Sequence, residues 1–401
     1  MVDNPESECE FKSMASRSDR QETQDKRIPF NRPSLVGTEL GYIEEAVSSG
    51  HISANGKFTR ACHRLLKEKV GAREAFLTHS GSAALEMIAL ILDLKEGDEV
   101  IMPSFTYVTT ASSFVLRGAV PVFVDVQRAY PNIDPLTIKS AITERTKLIV
   151  PVHYAGVACE LDSIKEIASD HNIYLAEDAA HSIEATYKGS TLGSLGDLSI
   201  LSFHETKNVV NGEGGALLIN DPSLMEVARQ IWDKGTDRHL FETGQVSEYT
   251  WQRPGASFAP GEIAAAFLLA QLESVDAITQ ERLKKWNQYH GAFAELESRG
   301  KVLRPAEFAD RGHNGHIYFL KTRTKEERDG LISHLSDCNI KAVFHYTPLH
   351  QSPAGEKYCR VYGSMDNTED YSATLVRLPL FNGIENSAIE RVVSSVYDYF
   401  Q

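Results

Sequence analysis

Residues 98–126, DEVIMPSFTYVTTASSFVLRGAVPVFVDV, hold two short apolar runs, DEVIMP and VPVFVDV, separated by a segment long enough for a helix. Neither run alternates apolar with polar residues. A strand with both faces buried has this pattern, and such strands belong to parallel sheets whose crossovers are helices. The same character recurs in EAFLTH (74–79), KLIVPVH (147–153) and IYLAEDA (173–179). Between them, SAALEMIALILDL (82–94) is apolar nearly all round and predicts an interior helix. ELDSIKEIASDH (160–171) places Leu161, Ile164, Ile167 and Ala168 on one stripe and predicts a covering helix. The expected fold is α/β: a large, doubly wound, mostly parallel sheet with helices on both faces.

Beyond Leu217 the pattern changes. Residues 260–298, PGEIAAAFLLAQLESVDAITQERLKKWNQYHGAFAELES, read as a long helical stretch with Ile263, Phe267 and Ala270 along one face. From about residue 300 strands and helices mix in a smaller α+β unit. The expected organisation is a mobile N-terminal extension (1–27), a large α/β domain (28–280) and a small C-terminal α+β domain (281–401).

Composition narrows the function. The chain has 401 residues, 42% of them hydrophobic and 24% charged, with a formal net charge of −14 and no long basic run, so nucleic acid is not an expected partner. No apolar stretch is long enough to span a membrane. The five cysteines are scattered and odd in number, as for free thiols in a reducing cytoplasm. The N-terminal residues lack an apolar core and carry acids, which argues against a secretory or transit peptide. Neither C-x-x-C nor H-E-x-x-H occurs, so no metal is expected; His345 and His350 are read as hydrogen-bonded or surface histidines in that respect.

In open α/β sheets ligands bind beyond the carboxyl ends of the strands. Four features fall there. In THSGSAALEM, Ser80-Gly81-Ser82 turns the chain from a strand into a helix; such a turn is either an ordinary N-cap or an anion seat built from backbone N–H groups and the helix dipole. In YLAEDAAHS, Asp178 ends an apolar strand, and because successive residues alternate faces, Glu177 and Asp178 cannot both address one ligand. In MPSFTYVTTA, Phe105 and Tyr107 lie on one side of an extended segment, as core packing or as a platform for a flat ring. In LSFHETKNVVNGEGGALLIN (201–220), Lys207 sits in a polar loop between two apolar strands, with Ser202 before it and Gly212, Gly214 and Gly215 after it. NGEGG leads into a strand, so it is not a dinucleotide loop. An anion seat, a carboxylate, a flat aromatic and an amine together suit pyridoxal 5′-phosphate: phosphate at the helix N-terminus, ring nitrogen on the acid, aldehyde on the lysine.

At these residues the chain resembles the DegT/DnrJ/EryC1/StrS sugar aminotransferases, a branch of the fold-type I pyridoxal-phosphate enzymes. The resemblance runs from IPFNRPSLVGTEL to the C-terminus and is carried by GDEVIMPSFTYVTTASSFVLRGA, VFVDV, VPVHYAGVACELD, SFHETKN, GEGGA and VFHYTPLHQSPAGE. It implies that Lys207 is the Schiff-base lysine, Asp178 the acid on the pyridine nitrogen, Gly81, Ser82 and Ser202 phosphate contacts, and Tyr107 the stacking aromatic. His181 stands where many members carry glutamine and keeps the reach to the cofactor's phenolic oxygen. Ser257 stands where many carry an asparagine given across the dimer interface to the phosphate.

His345 and Tyr346 lie where members approach the sugar, and small-domain packing is an equal reading. The implied reaction moves an amino group from glutamate to the 4-keto group of dTDP-4-keto-6-deoxyglucose, giving dTDP-4-amino-4,6-dideoxygalactose, in a homodimer with active sites between subunits. Two alternatives stay open: a transaminase for a 3-keto or UDP- or GDP-linked sugar, and a non-catalytic regulatory member of the fold.

Overall fold

The computed structural model describes residues 27–401; apart from Arg27, the extension expected over 1–27 lies outside the described residues. The centre is an eight-stranded sheet. Its strands are β1 (Glu74–Thr78), β2 (Glu99–Pro103), β3 (Val120–Val124), β4 (Thr146–Ile149), β5 (Tyr174–Asp178), β6 (Leu198–Ser202), β7 (Gly215–Ile219) and β8 (Arg360–Val361). They run in the order β1-β7-β6-β5-β4-β2-β3-β8. All neighbours are parallel except those of β7, which is antiparallel to both β1 and β6. The five apolar runs read as strands all lie in this sheet. Their uniform burial explains the missing alternation: every residue of β2 is buried.

Helices cover both faces. Gly81–Ile91 buries all but three of its residues, as expected of an interior helix. Leu161–Asp170 buries Leu161, Ile164, Ile167 and Ala168, the stripe predicted for it. The 260–298 stretch is three helices, Glu262–Glu273, Val275–Ala292 and Ala294–Ser298. Its predicted face is buried only in part: Ala270 is buried and Phe267 half-buried, but Ile263 is 43% exposed, while Ala265, Ala266, Leu268, Leu269 and Leu272 are buried as well. A helix apolar almost all round has no preferred face by periodicity, so packing chose.

The helix Val275–Ala292 serves two cores. Val275 and Ile278 pack beneath the sheet with Ala75, Leu77 and Leu218. Trp286 and Tyr289 pack with Tyr318, Leu335, Val376, Val396 and also Ile28. The proposed division at 280/281 therefore falls inside a continuous helix. The C-terminal part holds a small antiparallel pair, Phe319–Lys321 with Leu375–Arg377, and returns β8 to the edge of the large sheet beside β3.

Candidate active site

The parallel strands end on one side of the sheet, and a cleft of about 460 Å³ opens there. Gly81, Ser82, Tyr107, Asp178, His181, Ser202, Lys207, His345 and Tyr346 all line it. These nine come from five separate stretches of chain, which the crossovers bring to one place.

The anion seat is the start of Gly81–Ile91. Ser80 caps it, its hydroxyl accepting from the Ala83 N–H at 3.0 Å. The N–H groups of Gly81 and Ser82 have no acceptor among the described residues, and both residues line the cleft. So the turn is an N-cap and still offers donors at the positive end of a helix. Gly81 is bare because Ser202 approaches: a Cβ there would lie 3.2 Å from that of Ser202.

Glu177 and Asp178 part as alternation requires. Glu177 turns away from the cleft, accepting from the N–H groups of Gly193 (3.0 Å), Leu195 (2.7 Å) and Gly196 (2.7 Å) and bonding His153 Nε2 (3.0 Å). Asp178 faces the cleft. Its carboxylate accepts from Thr110 Oγ1 at 2.9 Å and from the Ala180 N–H at 3.2 Å. Burial raises its pKa, against those two donors and the nearby Lys207 charge.

The Lys207 amine has no hydrogen-bond partner among the described residues. Burial pushes its pKa from 10.5 down to about 8, and the Arg377 charge pushes the same way, while Asp178 pulls upward. At pH 7 most of the amine is still protonated, but roughly a tenth of it is neutral, the form that attacks carbonyls, against well under about a thousandth for a solvated lysine.

Three histidines crowd beside it. His181 Nδ1 accepts from the Ala155 N–H at 3.2 Å, so the ring proton sits on Nε2. His316 Nδ1 bonds Asn208 Oδ1 at 2.8 Å, an oxygen because the Asn208 amide nitrogen donates to Asn314 O. His345 Nδ1 is 2.8 Å from the Tyr154 hydroxyl. Burial, then neighbouring charges including Lys207 and Arg377, hold His181 and His345 well below the usual imidazole range, so both are neutral donors or acceptors at pH 7. Tyr346 holds a left-handed backbone (φ 53°), a strained conformation for a tyrosine, and its ring lies 3.6 Å from that of His345.

Two aromatics taken as a pair have separate roles. Tyr107 is 59% exposed at the cleft, and Phe105 is fully buried against Tyr154, Tyr346 and Tyr371. The helix that begins at Val108 ends the extended segment and removes the common side. Ser257 does not line the cleft of its own chain; it is exposed, in a β-bridge with Asp233. Sequence reading missed Thr110, His316 and Arg377. Only Arg377 left a signal, a charge inside the apolar run LVRLPLF.

Sheet, strand-end cleft and paired amine and acid define a class: a lysine-centred α/β enzyme with an anion seat at a helix N-terminus. Comparison with known proteins gives the family. The chain belongs to the DegT/DnrJ/EryC1/StrS aminotransferase family, whose model matches residues 33–397. It is 30% identical over 379 residues to the spore coat polysaccharide biosynthesis protein SpsC of Bacillus subtilis, covering 92% of this chain and 96% of that one. It is 32% identical over 380 residues to the UDP-4-amino-4-deoxy-L-arabinose–oxoglutarate aminotransferase of Shewanella sediminis, covering 92% and 97%. Among solved structures it superposes on Spr1654 of Streptococcus pneumoniae in its PLP form, with a TM-score of 0.85, 25% identity and coverage of 93% and 98%.

Proposed function

We propose that the cleft is the active site of a pyridoxal-phosphate-dependent sugar aminotransferase that takes nitrogen from L-glutamate and places it on carbon 4 of dTDP-4-keto-6-deoxy-D-glucose, giving dTDP-4-amino-4,6-dideoxy-D-galactose. The observation that carries the amino transfer is the juxtaposition of Lys207, with its depressed pKa, and buried Asp178 in one cleft with unpaired helix N-terminal donors. Those groups fit the cofactor. Gly81, Ser82 and Ser202 take its phosphate, Asp178 its ring nitrogen, His181 Nε2–H its phenolic oxygen, Tyr107 its face and Lys207 its aldehyde. When bound, the cofactor supplies a protonated ring able to accept the electron pair left when a carbon next to nitrogen loses its proton.

The chain's own residues do the rest. Asp178, whose carboxylate accepts from the Thr110 hydroxyl, would face the ring nitrogen and favour its protonated form. Lys207 takes the proton from the α-carbon of glutamate in the first half-reaction and delivers one to carbon 4 of the sugar in the second. The two substrates share one site in turn, so ping-pong kinetics follow. His345 and Tyr346 face the substrate.

The sugar rests on resemblance: VFHYTPLHQSPAGE and SFHETKN resemble the corresponding runs of dTDP-4-amino-4,6-dideoxygalactose transaminase. A UDP-linked 4-keto sugar is the second reading, favoured by the Shewanella relative's substrate. The working unit is a homodimer with Ser257 reaching the partner's cleft. Ile52 and Ile263, 55% and 43% exposed, border an apolar hollow with Pro33, Ile43 and Phe267 that a second copy can cover.

Two measurements test the reading. The protein with added cofactor should absorb near the visible edge, and Lys207→Ala should abolish that band. A panel of dTDP-, UDP- and GDP-linked 4-keto and 3-keto sugars with glutamate then reads the substrate; turnover of 3-keto sugars alone refutes amination at carbon 4.

A further inference from the structure

Arg377 ends the strand Leu375–Arg377, opposite Phe319. Its backbone is locked to Val343, donating at 2.7 Å and accepting at 3.2 Å, and its guanidinium lies 4.7 Å over the Phe30 ring. The side chain lines the cleft. Its Nε is sealed from solvent with no acceptor, and the guanidinium makes no hydrogen bond or ion pair among the described residues.

That is unusual within this molecule. Four other arginines also have a sealed, unbonded Nε, namely Arg117, Arg311, Arg328 and Arg360. Each of those has an acid: Asp93, Glu160, Asp329 and Glu99 respectively. Arg282, deep in the core, is bonded instead by the carbonyls of Gly315 (3.2 Å), His316 (2.8 Å) and Leu380 (3.2 Å). Arg377 has neither an acid nor a carbonyl. A guanidinium drawn out of water and left unpaired is costly, and its rigid fork matches a carboxylate or phosphate.

We propose that Arg377 is the seat of a substrate carboxylate: the one carried on the reacting carbon of the amino donor and of the 2-oxo acid that leaves. This rests on the aminotransferase reading of the cleft. The cofactor's phosphate has its own donors at Gly81 and Ser82. A nucleotide sugar's diphosphate is separated from carbon 4 by the sugar ring. The donor's carboxylate is a single bond from the carbon that Lys207 must deprotonate, and Arg377 opens onto the same cleft as Lys207, beside His345 and Tyr346. Arg377 is then a specificity-determining residue for the first half-reaction, selecting amino acids over simple amines.

The test uses the holoenzyme and glutarate, a dicarboxylate that cannot react, with binding read by calorimetry. Arg377→Gln should weaken glutarate roughly 10- to 100-fold, as expected for losing a charge-assisted hydrogen-bonded pair. Arg377→Lys, which keeps charge but loses the fork, should fall between and carries the test if the glutamine variant does not fold. The half-reactions separate the two anion sources. Bleaching of the visible band by subsaturating glutamate should slow by a similar factor beyond any slowing of keto-sugar conversion by the aminated enzyme, a step in which loss of the Arg377 charge acts only through Lys207. Unchanged glutarate affinity overturns the proposal. So does an equal loss in both half-reactions, or weaker keto-sugar binding with glutarate intact, which would assign Arg377 to an anion on the sugar. Arg377-dependent glutarate binding in a protein that transfers no amino group would leave the carboxylate seat standing and remove the aminotransferase reading.

Discussion

In the ligand-free protein the Lys207 amine should titrate with a midpoint near 8 rather than at the 10.5 of a solvated lysine. Withdrawal from water is the main cause, with the Arg377 charge adding to it and Asp178 opposing. At about 1.4 kcal/mol per pKa unit, a drop of about 2.5 units corresponds to about 3.4 kcal/mol against the charged amine. Water in the cleft reaches the side chain, so about 2 kcal/mol is the working figure. The folded pKa lies below the unfolded one. Between pH 8 and 10.5 the unfolded chain therefore holds more protons, and stability rises with pH through that window; below 8 the full penalty is present.

Lys207→Met removes the amine and keeps an unbranched stem. It should raise the unfolding free energy at pH 7 by about 2 kcal/mol, and the gain should shrink as pH approaches 10. Urea unfolding of the ligand-free proteins at both pH values reads this directly. The rate of borohydride trapping of pyridoxal phosphate on Lys207, mapped by peptide, gives the midpoint independently, and Asp178→Asn should lower it. A trapping midpoint near 10.5, or identical wild-type and Lys207→Met stabilities at pH 7, would refute the electrostatic account.

The remaining expectations concern what holds the site. Glu177→Gln turns an acceptor of three backbone N–H groups and a histidine into a group with its own N–H donors; it should cost about 3 kcal/mol by chemical denaturation, and a loss under 1 kcal/mol contradicts the pairing. Gly215→Ala puts a Cβ into the backbone of Ser80 and Gly81, so it should weaken pyridoxal phosphate binding about 10-fold or more with the circular dichroism spectrum retained, and wild-type affinity would show that the turn tolerates the shift.

Much of this was legible in one dimension. Uninterrupted apolar runs marked the parallel strands because a strand covered on both faces has no polar side to show. The Leu161–Ala168 stripe marked a one-sided helix for the complementary reason. Lys207 and Asp178 were legible because ligands collect at strand carboxyl ends, and strand ends can be counted along a chain. Glu177 and Asp178 parted as the period of two demands.

Packing decided the rest. Helix Glu262–Glu273 is apolar almost all round, so its sequence leaves the buried side undetermined, and the sheet and its neighbouring helices set Ile263 outward. Phe105 and Tyr107 separated because a helix starts between them and the next apolar cluster. Arg377 comes from the C-terminal strand pair and Lys207 from the loop after Ser202, and nothing in LVRLPLF tells which cavity its side chain enters. Periodicity is a property of neighbours along the chain and is set by local backbone geometry. The company that a charge keeps across a cleft is set by crossovers and by which surfaces shut out water, and those exist only once the whole chain has folded.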